Sequence, residues 1–184
     1  NTITELPREV HKKGDHTGEF DAKPMLKAAL AGNDVGLVSE AGMPAVADPG
    51  SSVVRAAHEL GIRVAPLVGP VSLLLALAAS GLNGQNFAFV GYLPQDGAAR
   101  TQRLRELENL VTKHGQTQLF IETPYRNQAL WDALVNGLQG NTRLAHASGL
   151  TMATMQVHCK TVQAWRSAGK AQISSEPTVF LIGK

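Results

Sequence analysis

Between Val35 and Gly50 the chain reads VGLVSEAGMPAVADPG, an apolar run that breaks into small residues with two prolines. This pattern predicts a buried strand, Val35 to Val38, ending in a tight loop. In open α/β sheets ligands sit beyond the carboxyl ends of strands, and glycine there lets main-chain N–H and C=O groups approach a ligand closely. The chemistry implied is recognition by backbone, not by a dense set of acids and nucleophiles. Glu40 is the one carboxylate placed to act as a base or to bind a polar substrate group; a strand-end carboxylate satisfied by loop amides is the plainer reading. Asp48 reads either as catalytic or as the N-cap of the next helix, with Pro49 at that helix's first position.

Other reactive residue types point away from metal or thiol chemistry. A single cysteine, Cys159, excludes a disulfide framework, fits a reducing, cytoplasmic setting, and reads as a buried thiol within a strand. The six histidines are scattered, with no pair at i, i+4 and no carboxylate spaced so as to suggest a site, so no metal site is expected. From Ala98 to Lys113, Leu104, Leu107, Leu110 and Val111 share one helical face, with Arg100, Arg103, Arg105, Glu106 and Glu108 around the others. A solvated charged face is the plain reading, and phosphate binding by the arginines is the sharper one.

The elements that must position these residues follow from period and punctuation. After Asp48-Pro49-Gly50, the residues Val53, Val54, Ala57 and Leu60 keep helical spacing up to Gly61, and Ile62 to Val68 then predicts a second buried strand closed by Gly69-Pro70. Strand, helix, strand makes a βαβ unit. Val71 to Gly81 is apolar on nearly every face, which implies a deeply buried helix or one shared with a partner; a bilayer span needs about 20 apolar residues, so no membrane partner is expected. The turn at Asn83-Gly84-Gln85 separates residues 1–83 from 84–184 as two domains. In the second, strands are expected at Phe87–Tyr92, Gln118–Glu122, Arg143–Ala147, Met155–Cys159 and Thr178–Ile182, with helices over 98–113, 124–138 and 162–166. Short strands with few helices between them predict a mixed sheet with antiparallel pairs.

With 184 residues and 43% hydrophobic content, the chain can bury a sizeable core, and a formal charge of +2 permits contact with nucleic acid without arguing for it. The start is polar and begins with Asn1, and no strand is expected before Val35. The chain therefore reads as a fragment lacking an N-terminal portion of roughly 50 to 60 residues, by comparison with the units of a doubly wound half.

Taken in order, SEAGMPAVADPG, VRAAHELGIRVAPLVGPVSLLLALAASGL, FVGYLP and FIETPYR resemble the tetrapyrrole methylase family, and within it an rRNA-modifying branch, from about Val35 to the C-terminus. The resemblance implies a two-domain α/β methyltransferase. Its N-terminal domain would hold a parallel βαβ sheet, incomplete in this chain, and its C-terminal domain would be α+β with a mixed sheet. S-adenosyl-L-methionine would bind between the domains of a homodimer. Carried over position by position, Ser39, Glu40, Ala41, Gly42 and Ser72 would border the cofactor from the first domain. Glu122, Thr123, Leu150, Thr151, Pro177 and Thr178 would close over it from the second. The chain departs from the rRNA-modifying branch at Ser39-Glu40-Ala41-Gly42-Met43-Pro44 (there SDAGTP), at Val68-Gly69-Pro70-Val71-Ser72 (there PGPSA), and at Ser148–Met152 and Gln156, where charged groups of that branch are missing. The acceptor is accordingly read as RNA, at a ribose 2′-oxygen or a base, or as a small molecule such as a tetrapyrrole. A catalytically silent, dimeric cofactor-binding protein is the third reading.

Overall fold

The computed structural model describes residues 2–7, Val10, 20–39 and 42–184. Its contacts divide the chain into two units, Asn1–Val71 and Ser72–Lys184.

In the first unit, a 3₁₀ turn at Lys23–Leu26 runs into the short helix α1, Lys27–Leu30, and α2 spans Ser51–Glu59. The helical spacing foreseen for α2 holds: Val53, Ala56 and Ala57 face inward and join Ala22 and Leu26 in a small core. Gly50 is the N-cap of α2, at φ 135°. A Cβ there would lie 2.9 Å from Leu37 Cδ2, so both conformation and packing require glycine. Asp48 is therefore not the cap; its Oδ2 accepts from Ser39 Oγ at 2.5 Å instead.

The two strands expected in this unit are not formed. Residues 35–38 and 62–68 carry no strand pairing, and Val38 is 85% exposed and Leu67 84%. An apolar run becomes a strand only where a second backbone satisfies its N–H and C=O groups. Among the described residues no such partner lies beside either run, so hydrophobic composition alone predicted too much. The parallel βαβ sheet expected for the N-terminal domain is accordingly absent among the described residues.

The second unit opens with α3, Ser72–Ser80, followed by β1, Phe87–Tyr92, α4, Gly97–His114, and β2, Thr117–Ile121. After a 3₁₀ turn at Pro124–Arg126 come α5, Asn127–Gly137, β3, Arg143–Ser148, β4, Gln156–Thr161, α6, Val162–Ser167, and β5, Thr178–Gly183. The sheet order is β1-β2-β5-β3-β4. Only β1 and β2 are parallel, joined through α4, while β2–β5, β5–β3 and β3–β4 are antiparallel. This is the mixed sheet that the sequence predicts. In β1 the register slips between Phe89 and Tyr92, where Gly91 takes φ 70° and absorbs the extra residue of a bulge.

Local signals account for the helix ends. Asp96 caps α4 through Oδ1, which accepts from Ala99 N at 2.8 Å, and Gly115 closes it in the left-handed region at φ 62°. One sheet face packs Phe120, Leu144, Phe180 and Ile182 against Leu104 and Leu107 of α4, Leu130, Trp131 and Leu134 of α5, and Val162 and Trp165 of α6. Glu108, read from sequence as solvated, is buried on α4; its Oε1 accepts from Gln139 N at 2.8 Å and from Thr142 Oγ1, tying down the α5–β3 connection. α3 packs against β3, β4 and β5, which places it with the second unit, ahead of the turn at 83–85. It buries Leu73, Ala76 and Leu77 only along one face, and Leu74 stands 49% exposed.

Candidate functional site at one end of the sheet

The register brings distant residues together. Ile121 pairs with Val179, so Glu122 and Thr123, just past β2, emerge beside Pro177 and Thr178 at the start of β5. Ser148 pairs with both Thr178 and Gln156, so the β3–β4 turn with Leu150 and Thr151 leaves the sheet at the same end. Tyr92, which pairs with Ile121, finishes β1 there as well. Six of the expected cofactor residues, Glu122, Thr123, Leu150, Thr151, Pro177 and Thr178, thus share one rim.

Glu122 is buried, and its Oε1 gathers Thr123 N at 2.7 Å, Thr123 Oγ1 at 3.2 Å, Arg126 Nη2 at 2.8 Å and Arg126 Nε at 3.1 Å. A carboxylate so engaged fixes its neighbours and is not poised as a base. The guanidinium it holds lies over the Tyr125 ring, 5.3 Å from the centroid, and that ring is 80% exposed.

At the start of β5, Thr178 Oγ1 donates to Glu176 O at 2.9 Å and accepts from Asn127 Nδ2 at 3.2 Å. Asn127 Nδ2 also reaches Ser174 O and Glu176 O, both at 2.9 Å. One residue further on, Gln128 Oε1 accepts from Ile173 N at 2.9 Å. Asn127 and Gln128 therefore pin the segment 171–178 to the first turn of α5. Sequence reading passed over both, since nothing in a helix N-terminus announces a partner some 45 to 50 positions away.

The β3–β4 turn is tightly wound. Gly149 sits at φ 58°, and a Cβ there would meet Thr154 Oγ1 at 2.9 Å and Glu176 Oε2 at 3.1 Å. Thr151 holds φ 69°, a conformation a branched side chain rarely takes. Met152 and Met155 stand exposed beside it, at 62% and 56%.

Ser39 and Gly42 belong to the first unit, Gly42 exposed at φ 92° in the loop that Ala45 and Ala47 also enter with positive φ. Glu40 and Ala41 lie outside the described residues. Ser72 is the exposed first residue of α3.

Deeper in the same unit, His146 faces His158 across β3 and β4, ring centroids 5.4 Å apart, with the rings of Trp131 at 5.2 Å and Trp165 at 5.9 Å. Burial, reinforced by His158, lowers its pKa to about 4. Cys159 on β4 is half-buried, and burial pushes its thiol up against the opposing pull of Arg143, which makes it a poor nucleophile as expected. Among the described residues no group of three His, Cys, Asp or Glu side chains is placed to hold a metal ion, and no helix is long and apolar enough to cross a membrane.

The model of the family described as Tetrapyrrole (Corrin/Porphyrin) Methylases matches residues 4–164. Ribosomal RNA small subunit methyltransferase I of Vibrio cholerae is 34% identical over 137 residues, 74% of this chain and 46% of that protein. The protein of the same name from Mesorhizobium japonicum is 39% identical over 145 residues, 78% of this chain and 48% of that protein. The chain thus spans about half the length of the curated relatives it matches. Among solved structures, the methyltransferase CobJ superimposes with a TM-score of 0.57 at 20% identity, covering 89% of this chain and 70% of that one. Uroporphyrin-III C-methyl transferase from Thermus thermophilus, complexed with S-adenosyl homocysteine, superimposes with a TM-score of 0.51 at 17% identity, covering 91% of this chain and 74% of that one. At these identities the likeness is one of fold.

Proposed function

The chain belongs to the tetrapyrrole methylase family, and from that membership we propose that it transfers a methyl group from S-adenosyl-L-methionine to ribosomal RNA, at a ribose 2′-oxygen or a base. The observation that carries this reading is the convergence of Glu122, Thr123, Leu150, Thr151, Pro177 and Thr178 on one end of the sheet. The rRNA acceptor is taken from the curated relatives named above.

The rim suits a cationic nucleoside. The Arg126 guanidinium at the rim is already matched by Glu122, so this pair adds no unbalanced positive charge to oppose a sulfonium. Leu150 and Thr151 lie beyond the last ladder pair, Ser148 with Thr178, so their main-chain groups are not committed to the sheet. When bound, the cofactor supplies an activated methyl group. The protein then has to hold the acceptor in line with that methyl and keep water out, tasks that need positioned backbone and apolar walls more than acid–base side chains. Ser39, Glu40, Ala41, Gly42 and Ser72 complete the proposed cofactor set, with Glu40 as the candidate base that deprotonates the acceptor.

A small-molecule acceptor such as a tetrapyrrole is the second reading, favoured by the uncharged, methionine-bearing turn at Ser148–Met155. We further propose a homodimer, for which the exposed outer face of α3 is available, and a cytoplasmic location, which goes with an rRNA acceptor. Calorimetric titration with S-adenosyl-L-methionine, followed by tritiated methyl transfer to undermethylated ribosomal RNA, tests the proposal. Saturable binding with label in RNA is the expected result; label in a small-molecule fraction moves the acceptor to the second reading. Binding without transfer to any acceptor leaves the silent, dimeric cofactor-binding reading, and absence of binding overturns the cofactor.

A further inference from the structure

We propose that Tyr125 is a stacking platform for an unpaired base of the RNA acceptor, held in position by the Glu122–Arg126 pair. The inference rests on the methyltransferase reading and adds to it the residue that grips the acceptor.

Three observations carry it. First, the ring is 80% exposed, although it sits in a rigid setting: Pro124 starts the 3₁₀ turn on which it lies, and Arg126 closes that turn, its N–H bonded to Thr123 O at 2.8 Å. Second, the guanidinium over the ring is immobilised by two hydrogen bonds to a single buried carboxylate oxygen. The ring's conformational freedom is therefore largely lost before any ligand arrives, and the loss on binding is small. Third, the position is the sheet end to which Tyr92, 59% exposed at the close of the neighbouring strand, also contributes.

The electrostatics select the ligand. Because Glu122 neutralises Arg126, the pair is a weak magnet for phosphate. What remains is a π-surface backed on one side by a planar cation, an arrangement that binds another flat π-system on its free face. Unstacked bases of single-stranded RNA present such a face, and aromatic side chains are their usual resting place. Stacking of this kind tolerates salt, whereas phosphate contacts weaken steeply as salt rises.

The test compares the wild-type chain with Tyr125→Ala and Tyr125→Phe. Two readouts are used: KM for undermethylated ribosomal RNA, and fluorescence quenching of 2-aminopurine in a single-stranded RNA oligonucleotide, which needs no turnover. Tyr125→Ala is expected to raise KM about tenfold and to lose most of the quenching at both low and high salt, with affinity for S-adenosyl-L-methionine unchanged. Tyr125→Phe is expected to restore both. Wild-type KM and quenching in Tyr125→Ala overturn the platform, as does weakened cofactor affinity with KM for RNA unmoved, because the ring then serves the nucleoside donor. If the wild-type chain quenches the oligonucleotide but transfers no methyl group, the methyltransferase reading fails and the platform stands. If it does neither, both fall.

Discussion

Asn127 bears more of the rim's geometry than any residue that sequence reading put forward. Its amide holds Ser174 O, Glu176 O and Thr178 Oγ1, all within 3.2 Å, and it is 1% exposed. Asn127→Ala takes away the donor to Ser174 O, leaves Glu176 O only its bond from Thr178 Oγ1, and is expected to destabilise the protein by about 1–2 kcal/mol, measurable as a fall in the urea midpoint at constant slope. A second residue-scale effect concerns acid. His146 has its pKa lowered to about 4 by burial among Trp131, Trp165 and His158, whereas in the unfolded chain the imidazole titrates near its ordinary value of about 6.5. Between those values the unfolded state binds a proton that the folded state refuses. The contribution is therefore fully present above pH ~6.5 and is lost as pH falls toward ~4. With allowance for screening by water around His158, its size is about 2 kcal/mol. His146→Phe should flatten the slope of stability against pH across that window relative to wild type; superimposable slopes would refute the assignment.

At the scale of elements, α3 separates what composition can say from what position decides. SLLLALAAS is apolar throughout, so sequence predicts burial without direction. The fold supplies direction: Leu77 is 5% exposed against the sheet, Leu74 49% exposed away from it. Leu77→Asp should cost about 4 kcal/mol or more and unfold the second unit. Leu74→Asp should move the melting point by little, and equal damage from both would show the outer face to be covered. Light scattering on Leu74→Asp also reads whether that face joins two copies. The same distinction explains which elements were legible. β2, β3 and β5 are short apolar runs whose backbone partners lie within the second unit, and their limits fall within two residues of expectation. Runs 35–38 and 62–68 carry the same signal without a partner strand, and pattern cannot reveal whether a ladder exists. The candidate site divides likewise. Motif resemblance put forward Glu122, Thr123, Leu150, Thr151, Pro177 and Thr178, which the register gathers at one sheet end. Asn127 and Gln128 at that end, and the buried Glu108 elsewhere on α4, went unread because their partners are set by tertiary register.

At the scale of the whole molecule, two cores of unequal size imply two stabilities. The second unit joins three helices to a five-stranded sheet around Leu107, Phe120, Trp131 and Phe180, all 2% exposed or less, whereas among the described residues the first rests on a cluster whose largest buried members are Leu26 and Val53. Near the C-terminal end of the first unit, residues 63–70 are exposed throughout, and their backbone is in neither helix nor strand. Backbone that is solvated and without regular structure opens at almost no free-energy cost, so a protease reaches it without unfolding anything else. Thermolysin, which cuts before bulky apolar residues, should therefore make its earliest cut within residues 20–184 near Leu67 and Val68. The product ending at Lys184 should persist, and its far-ultraviolet circular dichroism should match the helix and strand content of Ser72–Lys184. Mass spectrometry of a time course reads both outcomes. An earliest cut between Gly97 and Ser167, or a C-terminal product that loses its structure once separated, would mean that the sheet and its helices depend on the first unit for their stability.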